Sequence, residues 1–330
     1  EAVPVKSDLT LARSRQLLRK NGTSILWKIF RFFLLVGICY IFLFPVLYMI
    51  SVAVRGPETV NDPSIVWIPR GFSMSSIKTA IEILEYPRAV TTTAVIAIGS
   101  TIATLLSCTL VGYGFARFNF KEKGFMFALV LLTIIVPPQT TFISSFINYR
   151  NFDFFGLTKL LHAIIPAIPA QISLINTVWT FIFPALLASG LRAGLFIFIF
   201  RQFFAGMPKD LEEAAMIDGC GAFRTFLQVM LPLARSAIIT VLLFSFVWHW
   251  NDYFQSSMYF SDNQPISVML NQMQSLLQDA KIFNVVTNTP DEIRTYLQAG
   301  CLLTILPPLV LYIFTQRFFT ESIERTGIVG

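Results

Sequence analysis

Five long apolar runs dominate the chain, at about Trp27 to Val54, Ala89 to Phe115, Gly124 to Tyr149, Leu233 to Tyr253 and Leu297 to Phe319. Each is bracketed by charges or turn residues, and each has the roughly 20 residues that a helix needs to cross about 30 Å of hydrocarbon. The stretch between the third and fourth of these runs is harder to read. Leu157 to Phe204 is mostly apolar, but Pro166, Pro169 and Pro184 break it, and its first half carries Gln171, Asn176 and Thr177. We read Pro184 to Phe204 as a further span and Leu157 to Phe183 as an interfacial or re-entrant segment outside the membrane. The expected fold is all-α: a polytopic membrane protein with six transmembrane helices.

Charge placement supports that count. With six spans, both ends of the chain fall on one side, and 16 of the 25 Lys and Arg residues lie on that side, in the two tails, in the loops 117–123 and 203–231 and at the adjoining span ends. The opposite side holds eight, spread over longer loops. Excess Lys and Arg mark the cytoplasmic face, so both termini are expected in the cytoplasm. The expected layout is then a basic tail at 1–26, a first span at 27–54, an extracytoplasmic loop at 55–88 and a core at 89–330. That core would hold helices two to six, an extracytoplasmic insertion at about 150–183 and a cytoplasmic loop at about 205–232. Arg192 is left over inside the fourth span, where an arginine is costly unless it faces protein or water.

Composition agrees with a lipid environment. The chain has 330 residues, 55% of them hydrophobic and only 13% charged, against roughly a quarter charged in soluble domains. In a chain this apolar, the net charge of +6 reflects topology, and no nucleic-acid partner is expected. Cys39, Cys108, Cys220 and Cys301 lie far apart, which predicts no metal site and no disulfide frame. Residues 1–24 are polar and basic without the apolar core of a signal peptide, so they are expected to be a tail and not a leader. The loops at about 55–88 and 261–296 are long enough for short helices, with Pro57, Pro63, Pro69, Pro265 and Pro290 as breakers.

The loop before the fifth span reads Pro208-Lys209-Asp210-Leu211-Glu212-Glu213-Ala214-Ala215-Met216-Ile217-Asp218-Gly219 and runs on to Val229-Met230-Leu231-Pro232. Asp210 is placed to cap a helix with Glu213 at its third position, a capping box that also suits the positive end of the helix dipole. Leu211, Ala214 and Ala215 share a face on which small residues admit a close partner, and Gly219 supplies the turn that ends the helix. A second short helix at about Ala222 to Met230 would lead to Pro232. The pair predicts a docking knob beneath the membrane.

These residues resemble the "EAA" loop of binding-protein-dependent ABC importer permeases. The family pattern is Glu-Ala-Ala, three residues, Gly, nine residues, Ile, one residue, Leu-Pro. Here Glu213-Ala214-Ala215, Gly219, Val229 and Leu231-Pro232 match every spacing, with Val for Ile the one departure. Phe200-Arg201-Gln202-Phe203-Phe204, Trp248 to Phe254 and the terminal Thr326-Gly327-Ile328-Val329-Gly330 are similar to the carbohydrate-uptake, maltose-type branch. The resemblance implies an inner-membrane permease that carries a sugar or oligosaccharide by alternating access. Its implied partners are a second homologous permease, two cytoplasmic ATP-binding subunits and an extracytoplasmic solute-binding protein. It also implies that Asp210 to Asp218 form the coupling helix, with Glu213 the charged contact and Gly219 the turn. A non-sugar or polysaccharide substrate within the same superfamily stays open.

No G-x-x-x-x-G-K-[ST] run occurs, so no cofactor is expected in this chain, and ATP with Mg would be bound by the partner ATPases. His162 and His249 belong to no catalytic or metal motif. An ion-driven transporter would place acidic residues inside the spans, and apart from Asp252 at a span end there are none. For the substrate path, Trp248, Trp250, Asn251, Asp252 and Tyr253 combine aromatic faces with hydrogen-bonding groups suited to a sugar, although Trp248 also fits a membrane aromatic belt. Pro137-Pro138 and Pro307-Pro308 are expected to break the backbone inside the third and sixth spans, with Gln139 a further path candidate.

Overall fold

The computed structural model describes residues 6–56, 59, 68–69, 71–154, 156–165, 171–282 and 289–326. The chain opens with α1 (Lys6–Ala53), α2 (Ser75–Ile83), α3 (Tyr86–Arg117), α4 (Lys123–Ile135), a 3₁₀ turn at Pro138–Thr141, α5 (Phe142–Arg150) and α6 (Leu157–Ile164). It continues through α7 (Trp179–Leu186), α8 (Ala193–Ala205), α9 (Asp210–Ile217), α10 (Ala222–Thr225), a π turn at Phe226–Met230 and α11 (Leu231–Leu233). It closes with α12 (Arg235–Asn251), α13 (Phe254–Tyr259), α14 (Ile266–Ile282) and α15 (Pro290–Thr326). Among the described residues there is no strand, only isolated bridges from Arg55 to Phe72 and from Phe152 to Ile172. Pro57, Pro63, Pro166, Pro169 and the glycine-bearing tail at 327–330 lie outside the described residues.

α3 is the hub, with α7, α8 and α12 packed along it and α2 and α14 nearer its Tyr86 end. Its sequence is rich in Ala, Gly, Ser and Thr, and such residues let helices approach closely where lipid supplies no hydrophobic drive for association. The tightest point is Gly112, where a β-carbon would lie 2.5 Å from Phe200 Cβ and 3.1 Å from the Arg201 amide nitrogen. Several buried hydroxyls of α3 find partners within the bundle, whereas Ser100 and Thr104 have none. Thr93 donates to the Ala89 carbonyl at 2.7 Å and accepts from the Ile266 amide at 2.8 Å, while Thr101 donates to Ser245 at 3.2 Å. α1 stands apart, packed along α15. Only 6% of its most apolar window is buried, so Phe30, Phe33, Ile41 and Phe42 face outward as lipid-facing residues must.

Several boundaries differ from the sequence-based expectation. The polar tail does not end where the first span begins, because α1 is continuous from Lys6 and carries both. The third expected span is two helices: Val136 is extended ahead of Pro137, and the halves on either side meet at 98°. The residue before a proline is pushed out of the helical region, which accounts for the break. The fourth expected span is also not one helix. α7 begins at Trp179, inside the segment assigned to the membrane exterior, and α8 starts only at Ala193. Between them Ala188 and Arg192 hold positive φ of 53° and 58°, which interrupts the helix without a proline. Conversely, α15 runs without interruption through Pro307 and Pro308.

Three described helices, within α1, α3 and α15, are long and apolar enough to cross a bilayer unbroken, and two bent pairs qualify if each is counted as one span. α8 is apolar but has 13 residues, about 20 Å at the helical rise. Helix length therefore does not by itself yield the expected count of six. The two long loops do hold helices, α2 in the first and α14 in the second.

Candidate functional site

At the end of the bundle that holds Arg117, α9 and the helical path from Ala222 to Leu233 form a projecting knob. Acidic residues fill the first turn of α9, namely Asp210, Glu212 and Glu213, where they complement the helix dipole. The expected capping box is absent. Lys209 occupies the N-cap in a helical conformation with no side-chain cap bond, so Asp210 is already inside the helix. The other end is a Schellman motif: the Cys220 amide donates to the Ala215 carbonyl at 2.9 Å and the Gly219 amide to the Met216 carbonyl at 3.0 Å. Gly219 sits at φ +83°, the left-handed conformation that glycine adopts without strain.

The small-residue face divides. Ala215 is buried against the bundle, while Ala214 and Glu213 are exposed beside Asp210 and Asp218. What projects furthest is apolar, with Ile217 86%, Phe223 68% and Met216 56% exposed. Leu211 lies at the edge of the same surface. An apolar cluster on a projecting loop, rimmed by charges, has the character of a partner-binding surface. The second half of the knob is held by Phe226, whose ring lies 4.9 Å from Tyr113 and 6.3 Å from Phe204, and by fully buried Met230. Leu231 is half-buried against that cluster and Pro232 opens α11. The path then turns by 77° into α12.

The charged anchor of the knob is Glu212, one residue before the glutamate singled out from the sequence. Tyr113 donates its hydroxyl to Glu212 Oε1 at 2.8 Å, and Arg117 Nε lies 3.4 Å from the same oxygen. Arg117 also donates from Nη2 to the Met207 carbonyl at 2.8 Å. With only 6% and 13% of the Arg117 and Glu212 side chains exposed, this buried set ties α9 to the end of α3. Glu213 is left free to reach outward. The sequence signal for the anchor was the double glutamate, but its partners sit about a hundred positions away.

Deeper in the bundle, the breaks in the third and fourth expected spans open onto one cavity of about 570 Å³. Its walls come from α4 (Thr133), the Pro137-Pro138 bend, α5 (Ser145, Tyr149), α7 (Thr180, Phe181) and the start of α8 (Arg192 to Leu195). His249 of α12 and Gln255 and Tyr259 of α13 close it. Polar groups among apolar walls are what a small-ligand site presents. α4 and α8 meet beside it at Gly194, where a β-carbon would collide with Thr133 Oγ1 and come within 2.9 Å of the Val130 carbonyl.

The path residues expected from the sequence do not converge on this cavity. Trp250 is buried and donates from Nε1 to the Thr304 carbonyl at 3.0 Å, which makes it a bolt between α12 and α15. Asp252 caps α13 by accepting from the Ser256 amide at 2.8 Å and its hydroxyl at 3.1 Å. Asn251 bonds its own helix at the Val247 carbonyl, and Tyr253 packs on Phe254. Gln139 is exposed, while its neighbours Pro137, Pro138 and Thr141 form the wall. Trp248 stacks with Phe244 and packs at a tilt on Phe196, with Arg192 over its ring.

Comparison with known proteins bears on both features. The family described as "Binding-protein-dependent transport system inner membrane component" matches residues 108–325, which include the knob and most of the cavity wall. The "Arabinooligosaccharides transport system permease protein AraQ" of Halalkalibacterium halodurans is 26% identical over 235 residues, 71% of this chain and 71% of that protein. The "Galactooligosaccharides transport system permease protein GanQ" of Bacillus subtilis is 25% identical over 305 residues, 92% of this chain and 95% of that protein. A chain from the crystal structure of a bacterial ABC transporter "involved in the import of the acidic polysaccharide alginate" superposes with a TM-score of 0.64. It covers 90% of this chain and 98% of that one, and at 16% identity the likeness is one of fold. With the family match spanning well over half its length, the chain belongs to the binding-protein-dependent transport system inner membrane components, the multi-pass permeases of ABC importers.

Proposed function

We propose that this chain is a transmembrane permease subunit of an ATP-driven importer and that it passes a sugar or oligosaccharide inward by alternating access. The observation that carries the reading is the knob. Its apolar tip at Met216, Ile217 and Phe223 projects from the bundle, and its base is tied to α3 through Glu212, Arg117 and Tyr113. A force applied to the tip is thereby delivered to the helix on which α7, α8 and α12 pack. In this reading two cytoplasmic ATPase subunits, which bind ATP and Mg, receive the knob. A second homologous permease completes the pathway, and a solute-binding protein delivers substrate from outside. Both termini lie in the cytoplasm, on the side rich in Lys and Arg. The saccharide substrate is supported by the sugar-named relatives at comparable length.

The energy source separates this reading from an ion-driven carrier. Uptake of labelled arabino- and galacto-oligosaccharides is measured in cells with and without this chain, under arsenate to deplete ATP and under a protonophore to collapse the ion gradient. Uptake that needs the chain, stops with arsenate and survives the protonophore is the expected result. Uptake that stops with the protonophore while ATP is maintained would overturn it.

A further inference from the structure

Building on the reading of the knob as a docking surface, we infer that the π turn at Phe226–Met230 is a phase-setting element. The one residue it adds over an α-helix turns Phe223 outward onto the tip while Thr225 and Phe226 face the bundle. Such turns are rare, and they recur at functional sites. Here the Leu231 amide reaches back five residues to the Phe226 carbonyl.

Burial records the change of phase. Met230 is fully buried and fixes the inward face. Counted back from it at about 100° per residue, an unbroken α-helix would set Phe223, seven positions earlier, within about 20° of that face. Thr225, five positions earlier, would lie about 140° from it. The structure has the opposite arrangement, with Thr225 0% and Phe223 68% exposed. A five-residue π turn lags an α-helix by about one residue, or roughly 100°, which exchanges the two. Thr225 is buried although its Oγ1 has no hydrogen-bond partner, so local bonding does not favour this phase. Packing imposes it, through the Phe226 ring 4.9 Å from Tyr113 and through Met230.

The sequence carries the device in Pro232. In an α-helix its ring would collide with the Gln228 carbonyl, and it has no N–H to offer that carbonyl or, in a π register, the carbonyl of Leu227. Leu227 and Gln228 are both exposed, where water can serve their carbonyls. Pro232 thus disfavours the α register, in which Phe223 would lie inward and the tip would keep only Met216 and Ile217. A proline in α11 in this way decides which side chains the tip presents.

The test uses the complete transporter, captured through this chain from the membrane in mild detergent, with co-purified ATPase and ATP-driven uptake after reconstitution as readouts. Deleting Gln228 together with Pro232→Ala replaces the π turn by an unbroken α-helix in the native phase, because Thr225 then stands four positions before Met230 and Phe223 six. That variant is expected to keep capture and uptake within about threefold of wild type, the range of a neutral surface change. An alanine inserted after Gln228 instead turns the tip by a further 100° or so. It should lower both readouts at least about tenfold, as withdrawal of a large aromatic side chain from an interface centre would. Loss of capture or uptake in the deletion variant, for whatever reason, or undiminished capture and uptake in the insertion variant would each overturn the inference. Where wild type captures an ATPase and the variants depart from this pattern, the phase inference fails and the docking surface stands; where wild type captures none, both fall.

Discussion

Gly112→Ala is expected to destabilise the protein by about 2–3 kcal/mol, although alanine is the better helix former by about 1 kcal/mol. The β-carbon it adds would lie 2.5 Å from Phe200 Cβ, 3.1 Å from the Arg201 amide nitrogen and 3.2 Å from the Ile197 carbonyl. Two of these three are backbone atoms of α8, so no rotamer change relieves the contact and the helices must move apart. Gly114, two residues along the same helix, has nothing within 4 Å of the place a β-carbon would occupy. Gly114→Ala therefore controls for helix propensity and should be neutral or slightly stabilising. Thermal unfolding of the two variants in detergent, with monodispersity by size exclusion, distinguishes a tight α3–α8 contact from a general intolerance of change in α3.

The second large effect is expected at the base of the knob. Arg117→Ala leaves the Glu212 carboxylate in a site where it is 13% exposed, and removal of one member of a buried ion pair costs about 3 kcal/mol or more. Glu212→Ala should do similar harm by stranding Arg117, whose other recorded bond is to the Met207 carbonyl. The double variant Arg117→Met/Glu212→Met should be less damaged than the sum of the single changes by more than about 1 kcal/mol, because it leaves no charge behind. In the assembled transporter the single variants should retain ATP hydrolysis and lose uptake, since the knob still presents its tip but no longer drives α3. Hydrolysis and uptake measured on one preparation read this directly, and a parallel fall in both would place the pair in folding alone.

Much of the architecture was legible because membrane spans are written in long apolar runs. α1, α3 and α15 all lie where hydropathy places them, and the knob lies where the Glu213 to Pro232 spacing places it. The break in the third span was legible too, since Pro137-Pro138 forces Val136 out of the helix. The break between α7 and α8 was not, because its agents are Ala188 and Arg192 in left-handed conformations that no local rule assigns to those residue types. Arg192 stood out in the sequence as an anomaly, and the break explains it: the residue lies at a helix end facing a cavity, not within a continuous span.

The residues expected to line a substrate path do not come together at this cavity, for a geometric reason. Trp248 and Trp250 are two positions apart on α12, about 200° around the helix axis, so one cannot line what the other faces. Trp250 therefore meets α15 while Trp248 meets Arg192, and His249 between them reaches the cavity. The cavity is assembled from α4, α5, α7, α8, α12 and α13, and no sequence period joins residues so far apart. At the knob, helical phase likewise decides between neighbours: Glu212 turns inward to Arg117 and Tyr113, and Glu213 turns outward.

The central claim is that the tip of the knob is the docking surface for a cytoplasmic ATPase. It is tested most directly by affinity capture of this chain from its native membrane in mild detergent, with ATP hydrolysis measured on the captured complex. Wild type is compared with Ile217→Asp and Glu213→Lys, changes to exposed side chains that leave the base of the knob untouched. The account predicts that wild type brings down an ATPase and that Ile217→Asp loses at least about tenfold of the captured activity, as a buried charge at an interface centre would cause, while remaining monodisperse. No hydrolysis with wild type, or undiminished hydrolysis with both variants, would contradict it.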